Sequence, residues 1–161
     1  MLTLIIMRHG KSSWKTGHID HERPLNDRGR RQAFAGGRWL VENYPVIDAV
    51  LCSTSQRTRQ TLERVIDAGV DPRSVSFHDE IYESAPSDIL PLLRGVPGED
   101  RTVLLIGHSP GVETLIESLA GVSPERFVTS GIAVLAARGD WESLGTAGRA
   151  ELVSFTAPGR D

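Results

Sequence analysis

The sequence predicts an α/β fold, a three-layer α/β/α sandwich built on a mostly parallel central sheet of about six strands. Three observations carry this. Apolar runs alternate with helical patterns along the chain, as strands joined by helical crossovers do. The run Leu2–Met7 is rich in β-branched residues and reads as a buried strand, and it ends in Arg8-His9-Gly10. A second run, from Thr102 to Ile106, closes in the same way on Gly107-His108.

The elements follow in order. After Leu2–Met7, the pattern predicts a helix from about Asp27 to Tyr44. Asn26 suits its N-cap, because a short side-chain oxygen can accept from free backbone N–H groups. Ala33, Gly37, Leu40, Val41 and Tyr44 fall on one face of that helix. A strand at Ile47–Cys52 precedes a helix at about Gln56–Ala68, and a strand at Ser74–Phe77 precedes a helix at about Ser87–Arg94. The strand Thr102–Ile106 leads into a helix at Pro110–Ala120, with Pro110 as a good start and Gly121 as a good stop. The last two strands, Ile132–Ala137 and Glu151–Phe155, are joined through Gly139 to Gly148 and can pair antiparallel. No repeat or linker interrupts the pattern, so residues 1–156 read as a single domain and 157–161 as a frayed tail.

Composition narrows the class. The chain has 161 residues, 39% of them hydrophobic and 24% charged, enough for one domain with a real core. A net charge of −3, with basic and acidic residues interspersed, argues against nucleic-acid binding. A single cysteine, Cys52, permits no internal disulfide and reads as a small buried hydrophobe. The N-terminal apolar run is too short for a signal peptide and lacks a basic flank, and no run approaches a membrane span. These features predict a cytoplasmic protein with no membrane partner; they specify no oligomer.

The chemistry gathers at strand ends. Ligands of open α/β sheets bind at the carboxyl edge. Three such ends supply Arg8 and His9, then Arg57 in Ser53-Thr54-Ser55-Gln56-Arg57, then His108. Two arginines and two histidines on one edge suit a tetrahedral dianion, because guanidinium offers a planar, permanently charged fork to phosphate oxygens. Gly10 lets the backbone turn away and a ligand approach closely.

These motifs resemble the histidine phosphatase superfamily: Arg8-His9-Gly10, then Ser53-x-x-x-Arg57-x-x-Gln60-Thr61, then Gly107-His108, each after a strand-like run. The short chain, Arg23-Pro24-Leu25 and His108-Ser109-Pro110 resemble its small SixA-type phosphohistidine phosphatase branch. The resemblance extends from Leu2 to about Ala137. It implies a phosphatase in which His9 attacks phosphorus to give a phosphohistidine intermediate. Arg8, Arg57 and His108 would hold the phosphoryl oxygens, with Gly10 in the binding loop. It implies no cofactor and no metal. The substrate would be a phosphorylated protein carrying phosphohistidine, or a small phosphorylated molecule. Ile81-Tyr82-Glu83 resembles the Leu-x-Glu element that supplies a general acid in larger members, which nominates Glu83, with Glu80 as a near rival. The middle motif departs from the family's usual Ser-Pro-Leu-x-Arg-Ala form at Thr54, Ser55 and Thr58.

Other readings compete. Gly10-Lys11-Ser12 imitates the end of a P-loop, but the first glycine of that motif would fall on Ile5. Gly107-His108-Ser109-Pro110-Gly111 matches a nucleophile elbow with Ser109 as nucleophile, yet no histidine follows position 108 to complete a triad. His9 and His108 as metal ligands would sit beside two arginines that repel the cation. A binding module that reads phosphate without turnover needs only the arginines, whereas both histidines are present. His18, His21 and His78 receive no role, although the first two are close enough to His9 to rim its pocket.

Overall fold

The computed structural model describes residues 1–15, 17–146 and 148–160. The chain runs β1 (Leu2–Arg8), α1 (Asp27–Asn43), β2 (Ala49–Ser53), α2 (Gln56–Asp67), β3 (Ser74–His78), α3 (Pro86–Arg94), β4 (Thr102–Gly107), α4 (Gly111–Ala120), β5 (Ile132–Ala137) and β6 (Glu151–Thr156). The six strands form one sheet in the order β3-β2-β4-β1-β5-β6. The first four in that order are parallel, while β5 runs antiparallel to β1, and β6 antiparallel to β5. This is the α/β sandwich that the sequence predicts, with its antiparallel end.

Alternation of side chains across the sheet divides the core in two. Leu2, Leu4 and Ile6 of β1 face a cluster completed by Ile89 and Leu93 of α3 and by Leu115, Ile116 and Leu119 of α4. Ile5 and Met7 face the other way, toward Leu40 of α1 and Leu62 and Val65 of α2. A central strand covered on both faces must be apolar on both, which is why the β1 run alternates so little. The β5–β6 connection closes one end of the first cluster with Trp141, which is fully buried and donates its indole N–H to the Asp100 carbonyl. At the far edge β3 is exposed along most of its length, and Arg59 lies 4.1 Å over the Phe77 ring.

Caps set the helices that matter for the site. Asn26 Oδ1 accepts from Gly29 N at 2.8 Å and starts α1 as expected. Ser55 caps α2 by accepting from Thr58 N. Past β6, Gly159 lies close to Gln32 and Ala35 of α1, and Arg160 donates to Thr129 Oγ1 at 3.2 Å.

Candidate active site

β2, β4 and β1 are neighbours in the sheet and parallel, so their carboxyl ends open onto one place. Arg8 is level with Gly107 in the register, and Ser53 ends β2 beside them. The loops that follow carry His9, His108 and the first turn of α2 with Arg57. The structure thus brings together all four residues singled out at the strand ends. The His9 and His108 rings lie 5.3 Å apart, and His9, Arg57 and His108 are all buried.

His9 Nδ1–H donates to the Gly10 carbonyl at 2.7 Å. That bond fixes the tautomer and leaves the lone pair on Nε2, which faces Arg57 Nε at 3.4 Å. Burial lowers the His9 pKa well below the usual imidazole range, and His108, Arg57 and Arg8 lower it further. His108 is pushed down to about 3, first by burial and then by Arg57. Its Nε2 lies 2.9 Å from Ser53 Oγ and 3.4 Å from Ser55 Oγ, while its buried Nδ1 has no partner among the described residues. Arg8 Nη1 donates to the Phe127 carbonyl at 2.9 Å.

Three polar residues from irregular segments, Asp20, Arg23 and Tyr82, join the site beside the four from the strand ends. Asp20 stands in a 3-10 turn, Asp20–Glu22, above the first turn of α2. Its carbonyl accepts from Arg57 Nη1 at 2.8 Å and its Oδ2 from Arg57 Nη2 at 3.2 Å. The Tyr82 hydroxyl donates to the same carboxylate, and that bond, with Arg57 and Arg23, outweighs the opposing effect of burial and lowers the Asp20 pKa to about 2. Arg23 is buried; it donates to Asp20 Oδ1 at 3.1 Å and to Ser12 Oγ at 2.8 Å. Its guanidinium lies 3.4 Å over the ring of the exposed Trp14. The sequence marks Arg23 only within Arg23-Pro24-Leu25 and gives Asp20 no motif of its own. His21 packs edge-on against Tyr82 at 4.8 Å.

Two cavities meet here. One, of about 190 Å³, is lined by His9 and His108, by Arg8, Lys11, Arg23 and Arg57, and by no carboxylate. The other, of about 430 Å³, shares Arg57, His108 and Ser109 with it but does not include His9. Tyr82, Glu83 and Asp20 line that second space. Glu83 therefore stands near the site, exposed and with φ of 50°, a left-handed backbone that non-glycine residues adopt at some cost. Glu80 is exposed in the preceding 3-10 turn and lines neither space.

Gly10 serves differently from the expectation. A Cβ there would come within 2.5 Å of the Gly29 carbonyl oxygen, so the missing side chain makes room for α1. Its N–H donates to Thr61 Oγ1 at 3.0 Å. Ser109 Oγ donates to Glu113 Oε1 at 2.6 Å and has no histidine partner, which removes the nucleophile-elbow reading.

Comparison with known proteins agrees with this geometry. The profile of the histidine phosphatase superfamily (branch 1) matches residues 4–86. Phosphohistidine phosphatase SixA of Escherichia coli K12 is 32% identical over 135 residues, covering 82% of this chain and 83% of that protein. An uncharacterised protein of Mycobacterium tuberculosis H37Rv is 40% identical over 162 residues, covering 94% and 99%. A solved structure of the protein histidine phosphatase SixA complexed with tungstate superposes with a TM-score of 0.85 at 29% identity, covering 98% of this chain and 97% of that one. The chain belongs to the histidine phosphatase superfamily. Within it, fold and sequence are SixA-like, and the chain is a phosphatase of that fold.

Proposed function

We propose that this phosphatase hydrolyses protein phosphohistidine through a covalent phosphohistidine on His9, without a metal ion. The observation that carries the reading is the His9 ring, held by Gly10 O inside a pocket of four cationic side chains and no carboxylate. A buried, neutral imidazole whose Nε2 lone pair accepts only a long bond from Arg57 Nε, at 3.4 Å, can serve as a nucleophile at neutral pH once a phosphoryl group takes that place. The cations supply the charge that a divalent ion would otherwise supply, and they disfavour binding one.

In the first step His9 Nε2 attacks phosphorus. The bond to the substrate nitrogen breaks, its electron pair stays on the departing imidazole, and that imidazole can carry its own proton. Arg8, Arg57 and His108 stabilise the equatorial oxygens. In the second step water attacks the phosphorus, the P–Nε2 bond breaks with its electron pair returning to His9, and the water proton leaves on the inorganic phosphate formed. Asp20 acts as a positioning residue, because it holds two donors of Arg57 outside the pocket. The larger cavity shares Arg57 and His108 but lies away from His9, which suits the leaving group. With one buried cysteine unsuited to pairing, the reading assigns the enzyme to the cytoplasm.

A second reading, a phosphatase of small phosphomonoesters, is favoured by Glu83 at the rim of that cavity. An alkoxide needs a proton from a positioned acid, worth about 10²–10⁴ in rate. The test is turnover of a phosphohistidine protein and of a panel of phosphomonoesters after exhaustive chelation. Phosphohistidine hydrolysis should survive chelation, vanadate should compete, and Glu83→Gln should slow monoesters far more than phosphohistidine. Activity lost on chelation and restored by one divalent ion would overturn the metal-independent reading. Faster turnover of monoesters than of phosphohistidine would favour the second reading.

A further inference from the structure

A third cavity, of about 230 Å³, adjoins the phosphoryl pocket and shares Arg8, Lys11 and Thr129 with it. Arg126 and Arg160 complete its polar wall, and no carboxylate of the described residues lines it. The chain carries a net charge of −3, and it pairs Arg23, Arg30, Arg38, Arg57, Arg64 and Arg73 with carboxylates. Among the described residues, no carboxylate forms an ion pair with Arg8, Lys11, Arg126 or Arg160. Four cations with no carboxylate partner among the described residues share one hollow of an acidic protein, and like charges repel unless an anion joins them.

The cluster also rests on a polar frame. Gln32 of α1 is buried, and its Oε1 accepts from Lys11 N at 3.2 Å and from Thr129 Oγ1 at 3.0 Å. Thr129 Oγ1 in turn accepts from Arg160 Nη1 at 3.2 Å. One buried amide thus ties together the β1 loop, the segment before β5 and the chain beyond β6, the three places that supply the cations.

We propose that this cavity docks carboxylates of the phosphorylated partner protein, from an acidic stretch flanking the phosphorylated residue. The inference rests on the phosphoprotein reading of the adjoining site. The shared wall of Arg8 and Lys11 means that an occupant would lie alongside the bound phosphoryl group. Arginine forks match carboxylates in two-point contacts. Lys11, Arg126 and Arg160 are exposed at the rim and spread over three segments. That spacing suits an extended acidic segment better than a compact small-molecule anion, which needs enclosing donors.

The test compares two phosphohistidine peptides, one flanked by Glu and one by Lys, on the full chain and on an Arg126→Ala/Arg160→Ala variant. Phosphoramidate, too small to reach the cavity, reports the chemistry alone. The wild type should favour the Glu-flanked peptide by about ten-fold in kcat/KM through KM, as several exposed ion pairs can. The preference should fade toward ~1 M salt, where charges are screened within about 3 Å. The double variant should bring the two peptides within about two-fold while its phosphoramidate turnover stays unchanged. No preference in the wild type, or the same preference in the variant, would overturn the docking site. So would loss of phosphoramidate turnover in the variant, which would put these arginines in the chemistry. If the wild type cleaves phosphoserine versions of the peptides and not the phosphohistidine ones, the phosphohistidine reading fails, and the same flank comparison on phosphoserine still decides the docking site.

Discussion

At the scale of single residues, the nucleophilic role proposed for His9 depends on what surrounds it. Solution imidazole is partly protonated near its pKa of about 6.5, and the proton blocks the lone pair that attacks. Here burial and neighbouring cations keep the ring neutral, and Gly10 O holds the remaining proton on the nitrogen that does not attack. His9→Ala should abolish turnover with little change in Tm, since the ring makes one backbone bond at a strand end and belongs to neither apolar cluster. A rapid acid-free quench of the wild type should trap phosphate on His9. Phosphate found on Ser109, or a variant that still turns over, would refute the nucleophile assignment.

At the scale of elements, the start of α2 joins stability to the site. Ser55 is fully buried, caps the helix and reaches toward His108, while Arg57 stands two residues on, within the first turn. Ser55→Ala should cost about 1–2 kcal/mol, read as a lower urea midpoint at unchanged m-value, and should reduce activity as well. A cost below ~0.5 kcal/mol would show that the cap is redundant. The same turn explains the departure from the family's usual motif. Thr58 Oγ1 donates to the Ser53 carbonyl at 2.8 Å and pairs with Ser55 Oγ at 2.7 Å, so hydroxyls bond here where the usual residues would pack. The strand ends were legible because buried strands write long apolar runs, and the glycine or histidine closing each run breaks the pattern visibly. Asn26 was legible as a cap for the same local reason. Asp20, Arg23 and Tyr82 were not. They come from turns without periodicity, and their partners lie far along the chain, with Tyr82 sixty-two residues from Asp20. Gly10 was legible as a special position, but its reason, the close approach of Gly29, exists only once α1 packs on the β1 loop.

At the scale of the whole molecule, the site costs stability in acid. His9 and His108 are held neutral in the fold, His108 with a pKa of about 3, whereas in the unfolded chain both titrate near ~6.5. Below that value the unfolded state binds more protons than the native state, so stability falls as pH falls and levels off above it. The slope from two such groups is on the order of 2 kcal/mol per pH unit between about pH 6 and pH 5, before most carboxylates titrate. Urea midpoints measured from pH 7 to pH 5 should therefore drop, and His108→Asn should flatten the drop. A flat profile in the wild type would mean that one or both rings are charged in the native state.

Cys52 lies wholly inside the core, with its thiol bonded to the Ser53 carbonyl and pushed up to about 12 by burial. Enzymes that attack phosphorus with a thiolate are switched off when peroxide oxidises that sulfur. This fold keeps its one sulfhydryl protonated and out of reach, and the proposed mechanism gives the attack to a nitrogen that peroxide leaves alone. Millimolar peroxide should leave turnover and the free-thiol count unchanged in the folded protein, and only unfolding should release the thiol to oxidation. If the substrate is the protein phosphohistidine proposed above, its hydrolysis would continue under oxidative stress, when thiol-dependent phosphatases fall silent.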